Sequence, residues 1–217
     1  MIGKADPEHI RSPKFLIMDN TPLSLLGAID ALDWFFEPGC DVWITDLVLE
    51  EATGKPGEGR DQRRVTRNYI ASWIESNRDR LTVLATPEGE RYHQEMELWG
   101  LAGSPDRLRP TWKDRGEASL LQGVQTIKAA LQSGEAIVVL VDDRDARDAI
   151  RAVRADINMM GTQTFIEWLL EDFGIAQAET AWTSILMATG DTADPGDVLP
   201  VFRPPGAGTP APSYKGP

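Results

Sequence analysis

The chain has 217 residues, enough for one domain of ordinary size with appendages, and its 41 % apolar content excludes wholesale disorder. A formal net charge of −12 argues against a protein that coats nucleic acid, since phosphate contacts need Lys and Arg. It leaves room for a nucleic-acid enzyme whose negative charge gathers at a metal site. One cysteine, Cys40, excludes an intrachain disulfide framework and a cysteine-based zinc site, which suits a reducing cytoplasm.

Residues 1–13 read as a loose N-terminal arm. The opening "MIGKADPEHIRSPKF" has no apolar h-region and is not expected to be a signal peptide. The longest apolar runs, such as "AIVVLV", fall far short of the ~20 residues of a membrane helix, so a soluble, cytoplasmic protein with no membrane partner is expected. "KFLIM" (14–18) predicts a buried strand. "TPLSLLGAIDALDWFF" (21–36) predicts one helix, with Thr21 as N-cap, Pro22 at the first helical position, and Leu25, Leu26, Ile29 and Leu32 on one face. "PG" at 38–39 ends it. "DVWIT" (41–45) is a second strand and "DLVLEEAT" (46–53) a second helix.

"GKPGEG" (54–59) is a turn-rich loop, followed by a helix over 61–78 with Ile70, Trp73 and Ile74 facing inward. "LTVLAT" (81–86) is a third strand. Residues 87–113 look like an insertion, with a helix near 88–100 and the loop "GSPDRLRPTWK". "GEASLLQGVQTIKAAL" (116–131) is a long helix whose buried stripe is expected at Ala118, Leu121, Val124 and Ile127. "AIVVLV" (136–141) is the most apolar strand, and its continuous hydrophobicity implies cover on both faces and a parallel sheet. "RDARDAIRAVRA" reads as a helix, "DINMM" as a strand and "TQTFIEWLLEDF" as a helix. The Trp residues mostly match apolar faces and read as core; Trp112 falls in a loop, where it is open to base stacking. No internal repeat is present. The alternation of strands and helices predicts an α/β three-layer sandwich with a mostly parallel central sheet flanked by helices, filling 14–189. The Pro/Gly-rich tail from 190 is expected to be disordered.

In open parallel sheets, ligands collect outside the carboxyl ends of the strands. Four acids fall at such places: Asp19 after the first strand, Asp143 after "AIVVLV", Glu51 in the helix after "DVWIT", and Glu117 in the first turn of the helix opened by "DRGEAS". Converging carboxylates repel, and a divalent cation removes that penalty. Carboxylate oxygens and water are the ligand set of Mg²⁺ or Mn²⁺. The two histidines, His9 and His93, are not beside these acids in sequence, which disfavours zinc. Such a site suits phosphodiester hydrolysis. Each acid also has a plainer reading. Asp19 can cap the next helix, Glu117 can complement a helix dipole, and Asp114 can share its face or form the cap. Glu50 and Glu51 point about 100° apart, so only one of them can face a site, and the plainer reading is that both are solvated. Asp142 and Asp143 point to opposite sides of a strand; Asp143 is taken as the ligand and Asp142 as a partner of backbone or arginine. Thr162 either orients a site carboxylate or caps its own helix.

Arg60, Arg63, Arg64 and Arg67 share one helical face, as do Arg144, Arg147, Arg151 and Arg154 after the acidic strand end. Both stripes read either as a phosphate-binding rim that guides RNA or as solvated, salt-bridged surface.

"FLIMDNTPLSLLGAIDALDWF", "VWITDLVLEEAT", "DRGEASLLQ", "VVLVDDRDAR" and "INMMGTQTFIEWLL", in that order over residues 14–173, resemble the motifs of PIN-domain proteins, most of all small prokaryotic members allied to the toxin ribonucleases of VapBC-type toxin–antitoxin pairs. The resemblance implies a metal-dependent endoribonuclease with Asp19, Glu51, Glu117 and Asp143 at the metal, and it selects Glu51 over Glu50. It also implies a further acid at Asp145 and supporting roles for Asn20 and Thr21; Asn20 stands where the family often has a small hydroxyl residue. Mg²⁺ or Mn²⁺ is the implied cofactor and RNA the substrate. A protein antitoxin that inserts a segment into the acidic cleft is an implied partner; a homodimer is open as a further one, since the sequence does not reveal the oligomeric state. A non-catalytic PIN-like scaffold that keeps the acidic site is the alternative. "VVLVDDRDA" also superficially resembles the acidic pair of receiver domains, but there the pair ends the first strand, and here it ends a late one.

Overall fold

The computed structural model describes residues 12–54, 64–102, 108–111, 115–151 and 157–190. Five strands, β1 (Ser12–Met18), β2 (Asp41–Thr45), β3 (Leu81–Leu84), β4 (Glu135–Leu140) and β5 (Ile157–Met160), form one all-parallel sheet in the order β3-β2-β1-β4-β5. The helices are α1 (Asn20–Gly27), α2 (Asp46–Thr53), α3 (Arg64–Ser76), α4 (Pro87–Ala102), α5 (Arg115–Ala130), α6 (Arg144–Arg151), α7 (Thr162–Phe173) and α8 (Ala178–Thr189). The result is the expected three-layer α/β sandwich.

Strand alternation builds two cores. Leu16 and Met18 of β1, Val42 and Ile44 of β2, and Val138 and Leu140 of β4 face α1, α2, α3, α7 and α8. Ile17, Val139 and Val141 point the other way, against Leu120, Val124 and Ile127 of α5 and Ala146 and Ile150 of α6. β4 is interior and buried on both faces, as its unbroken apolar run implies.

Several local expectations are corrected. The helix predicted over 21–36 is two pieces, α1 and a 3₁₀ helix over Leu32–Phe36. Asp30 adopts φ 59°, and the Ala31 N–H bonds back to the Leu26 carbonyl at 3.0 Å, a Schellman-type closure. Aspartate tolerates the left-handed region better than most residues, so this stop lacks the usual glycine signal. The N-cap of α1 is Asp19, not Thr21. β3 stops at Leu84, because the Thr86 N–H and hydroxyl are taken by Asp46. In α5 the buried face is Ser119, Leu120, Gly123, Val124 and Ile127, with Ala118 and Leu121 only half-buried. The face is rotated because α5 approaches β1 and β2 through Gly123, where a Cβ would lie 2.7 Å from Thr45 Cγ2 and 2.9 Å from Ile17 Cδ1. Of the tryptophans, Trp73 and Trp168 are buried, whereas Trp34, Trp43, Trp99 and Trp182 are half-buried; Trp112 lies outside the described residues. Ile70, Trp73 and Ile74 face inward as expected. Helix α8 was not anticipated; alanines supply most of its buried stripe (Ala178, Ala181, Ile185), which leaves little periodic signal. Of the arm expected over 1–13, Ser12 and Pro13 belong to β1, and residues 1–11, like the tail from 191, lie outside the described residues. Among the described residues no helix is long and apolar enough to cross a membrane.

Candidate metal centre

The strand order reverses between β1 and β4. From β1 the chain moves outward through β2 and β3, then returns to the far side of β1 as β4 and β5. In doubly wound sheets this switch point opens the crevice that binds ligands, at the carboxyl ends of the strands. Met18 pairs with Leu140, and the ladder runs one step further through the Asp19 N–H to the Leu140 carbonyl, 2.9 Å. Asp19 therefore stands at the crevice.

Asp19 is 9 % exposed. As N-cap of α1 it makes no side-chain capping bond, so capping does not account for it. Burial pushes its pKa from 3.8 up to about 7. The Asn20 backbone N–H opposes that rise, and the charges of Glu51, Asp142 and Glu117 contribute to it. Of the other three acids predicted from sequence, Glu51 and Glu117 thus come within electrostatic reach of Asp19.

Of the pair after β4, it is the charge of Asp142, and not that of Asp143, that acts on Asp19. The period of two in β4 sends Val138 and Leu140 towards α7, and Asp142 continues that face. Its carboxylate accepts the Thr162 N–H at 2.8 Å and the Thr162 hydroxyl at 2.6 Å. Burial raises its pKa, whereas the two bonds from Thr162 and the charge of Arg147 oppose the rise. Asp143 turns the other way. It is exposed and accepts the Ala146 N–H at 2.9 Å, a cap for the first turn of α6. A partnership of Asp142 with backbone holds in the structure, and membership of the acidic group is added to it.

Supporting residues fall close by. Asn20 Nδ2 donates to Glu51 Oε1 at 3.0 Å, and Asn20 Oδ1 accepts from Ser24 Oγ at 3.2 Å. The Asn20 side chain therefore orients Glu51, while its backbone N–H serves Asp19. Thr21 is half-buried in the first turn of α1. Thr162 holds a site carboxylate, and Gly161 is the N-cap of α7. Two glycines bring backbone against the acids: a Cβ at Gly116 would lie 2.9 Å from Glu51 Oε2, and one at Gly161 would lie 2.8 Å from Asp142 Oδ1. Glu50 turns to α4 and pairs with His93. The structure thus sets a histidine beside the neighbour of Glu51, a proximity invisible in sequence.

The basic residues divide. Arg144 and Arg151 are exposed, and Arg151 Nη1 lies 2.7 Å from Asp148 Oδ1. Arg147 departs from the expected rim: it is 4 % exposed, and its guanidinium donates to the carbonyls of Asp142 (2.9 Å) and Asp143 (3.3 Å). Arg64 is exposed, and half-buried Arg67 donates to the Gly54 carbonyl at 3.4 Å. Arg63 and Asp114 lie outside the described residues, as does the side chain of Asp145 in α6.

Among the described residues no three His, Cys, Asp or Glu side chains are grouped as ready metal ligands. The donor chemistry nevertheless fits a hard divalent cation. The group is all carboxylate, and one of its members is driven to about 7 by burial and three like charges. A cation is what such a set would neutralise. No protein-family model, curated protein or solved structure matches the chain.

Proposed function

We propose that the chain is a divalent-metal-dependent endoribonuclease of PIN-domain type, allied to the toxins of toxin–antitoxin pairs. The observation that carries this reading is buried Asp19 at the switch point, on which the charges of Glu51, Asp142 and Glu117 all act. The five ordered motifs and the parallel three-layer sandwich support it. Asp19, Glu51, Glu117 and Asp142 would hold Mg²⁺ or Mn²⁺. When bound, the ion supplies Lewis-acid stabilisation of phosphoryl charge and makes water a better nucleophile near neutral pH. The chain's own residues prepare the centre. Asn20 fixes the rotamer of Glu51 and Thr162 fixes that of Asp142. Without a cation, the Asp19 carboxyl holds a proton up to about pH 7. Exposed Arg144 and Arg151, on the helix that follows Asp142, supply phosphate contacts for RNA.

The test is cleavage of an end-labelled RNA by the purified chain with Mg²⁺, Mn²⁺ or EDTA. Cleavage should require metal. Asp19→Ala and Asp142→Ala should lower it by about 100-fold or more, and Asp143→Ala should leave it within a few-fold of the parent. Folded protein that cuts no RNA with either metal overturns the reading. A second reading, a PIN-like binding protein without turnover, is favoured by the absence of ready-grouped ligands among the described residues. It predicts metal-dependent stabilisation with no cleavage.

A further inference from the structure

Asp46 opens α2 and is not one of the acids around Asp19, yet it is densely bonded. Its Oδ1 accepts the Leu47 N–H (2.9 Å), the Thr86 hydroxyl (2.8 Å) and the Ser119 hydroxyl (3.2 Å). Its Oδ2 accepts the Thr86 N–H at 2.9 Å. Thr86 and Ser119 are buried, and their hydroxyls lie 3.1 Å apart. The Gly89 N–H donates to Thr86 Oγ1 at 3.1 Å, and Gly89 packs so closely that a Cβ there would lie 2.0 Å from Asp46 Oδ2. One carboxylate therefore joins α2, the β3–α4 junction and α5.

These helices carry the acids. Glu51 lies on α2 behind Asp46, and Glu117 lies on α5 just before Ser119. Gly116 already abuts Glu51. The spacing of α2 and α5 at this end of the sheet sets how near Glu51 and Glu117 come to one ion. We propose that Asp46 and Ser119 are positioning residues of the metal centre, whose hydrogen bond locks α2 to α5 at the separation that lets Glu51 and Glu117 share one divalent cation. This rests on the metal-centre reading above. Partners outside the ligand shell typically govern metal affinity by about 10–100-fold, and this link acts at one remove, so the low end applies.

The experiment is calorimetric titration of the full chain with Mn²⁺, alongside RNA cleavage over a range of Mn²⁺ concentrations. Ser119→Ala cuts the tie to α5 with little change in volume. Thr126→Ala, on the exposed face of the same helix, is the control. Expected is about tenfold weaker Mn²⁺ binding by Ser119→Ala, cleavage restored to the parent rate at saturating Mn²⁺, and no change in the control. Asp46→Asn, which replaces one acceptor oxygen by a donor, repeats the test should Ser119→Ala fail to fold. Variants that bind Mn²⁺ as tightly as the parent overturn the proposal and leave the nuclease reading intact. Cleavage that stays low at saturating Mn²⁺ overturns it as well, because the loss is then not one of metal affinity. A parent chain that binds no Mn²⁺ overturns both.

Discussion

Replacing Asp19 by Asn should make the metal-free protein more stable at alkaline pH. Asp19 is 9 % exposed, and its pKa rises from 3.8 to about 7. An acid whose pKa is raised by folding binds its proton more tightly in the folded state. Its contribution is full below the unfolded value near 4, and is lost as pH rises through about 7. At about 1.36 kcal/mol per tenfold in acidity, the whole loss is on the order of 4 kcal/mol. For a chain of this size each kcal/mol moves the melting temperature by about 2–4 °C, so the effect reaches on the order of 10 °C. The assay is thermal unfolding in EDTA, followed by circular dichroism from pH 4 to 8. Parent and Asp19→Asn should melt together at pH 4 and diverge above pH 5, the variant being the more stable at pH 8. Mn²⁺ at pH 8 should raise the parent's midpoint and leave the variant's nearly unmoved. Parallel pH profiles in EDTA would refute the claim that burial and three neighbouring acids load this carboxyl.

Gly161 has φ −82°, so alanine there meets no backbone strain, but its Cβ would press on Asp142 Oδ1 at 2.8 Å. Gly161→Ala should cost about 1–3 kcal/mol by denaturant melts and disturb the Thr162–Asp142 bonds, seen as weaker Mn²⁺ binding. The arginines should separate by role. Arg144→Ala and Arg151→Ala should change stability by no more than about 0.5 kcal/mol and each reduce the salt slope of RNA binding by about one. Arg147→Leu leaves two carbonyls without their donor and should lower stability by about 2–3 kcal/mol, with the salt slope unchanged.

Much of the fold was legible because its signals are local. The apolar run of β4 announced an interior parallel strand, and Ile70, Trp73 and Ile74 marked the inner face of α3. The placement of Asp19 at the end of β1, Glu51 on α2 and Glu117 in the first turn of α5 was legible, because these positions follow directly from the element boundaries. Which of Asp142 and Asp143 turns towards α7 was not legible, since that depends on where β4 hands over to α6. The period of two through Val138 and Leu140 held the answer: Asp142 stays in phase with the strand, and Asp143 caps the helix. The burial of Arg147 was hidden for a related reason. A helical stripe of arginines does not say that one of them turns back to backbone carbonyls. The Asp46–Thr86–Ser119 knot joins residues from three separate segments, and nothing in the spacing of any one segment predicts it.

The reversal of strand order has a consequence for how the molecule assembles. Met18 and Leu140 are neighbours in the sheet but lie at opposite ends of most of the described chain. Closing so long a span is entropically costly and favours slow maturation. β1 leaves the ribosome well before β4, and it has no neighbour on that side until β4 is synthesised. Asp19 and Asp142 meet only when that pairing is complete. A chain made only as far as β3 therefore lacks the juxtaposition of Asp19 and Asp142, and the crevice between β1 and β4 forms only once β4 has docked.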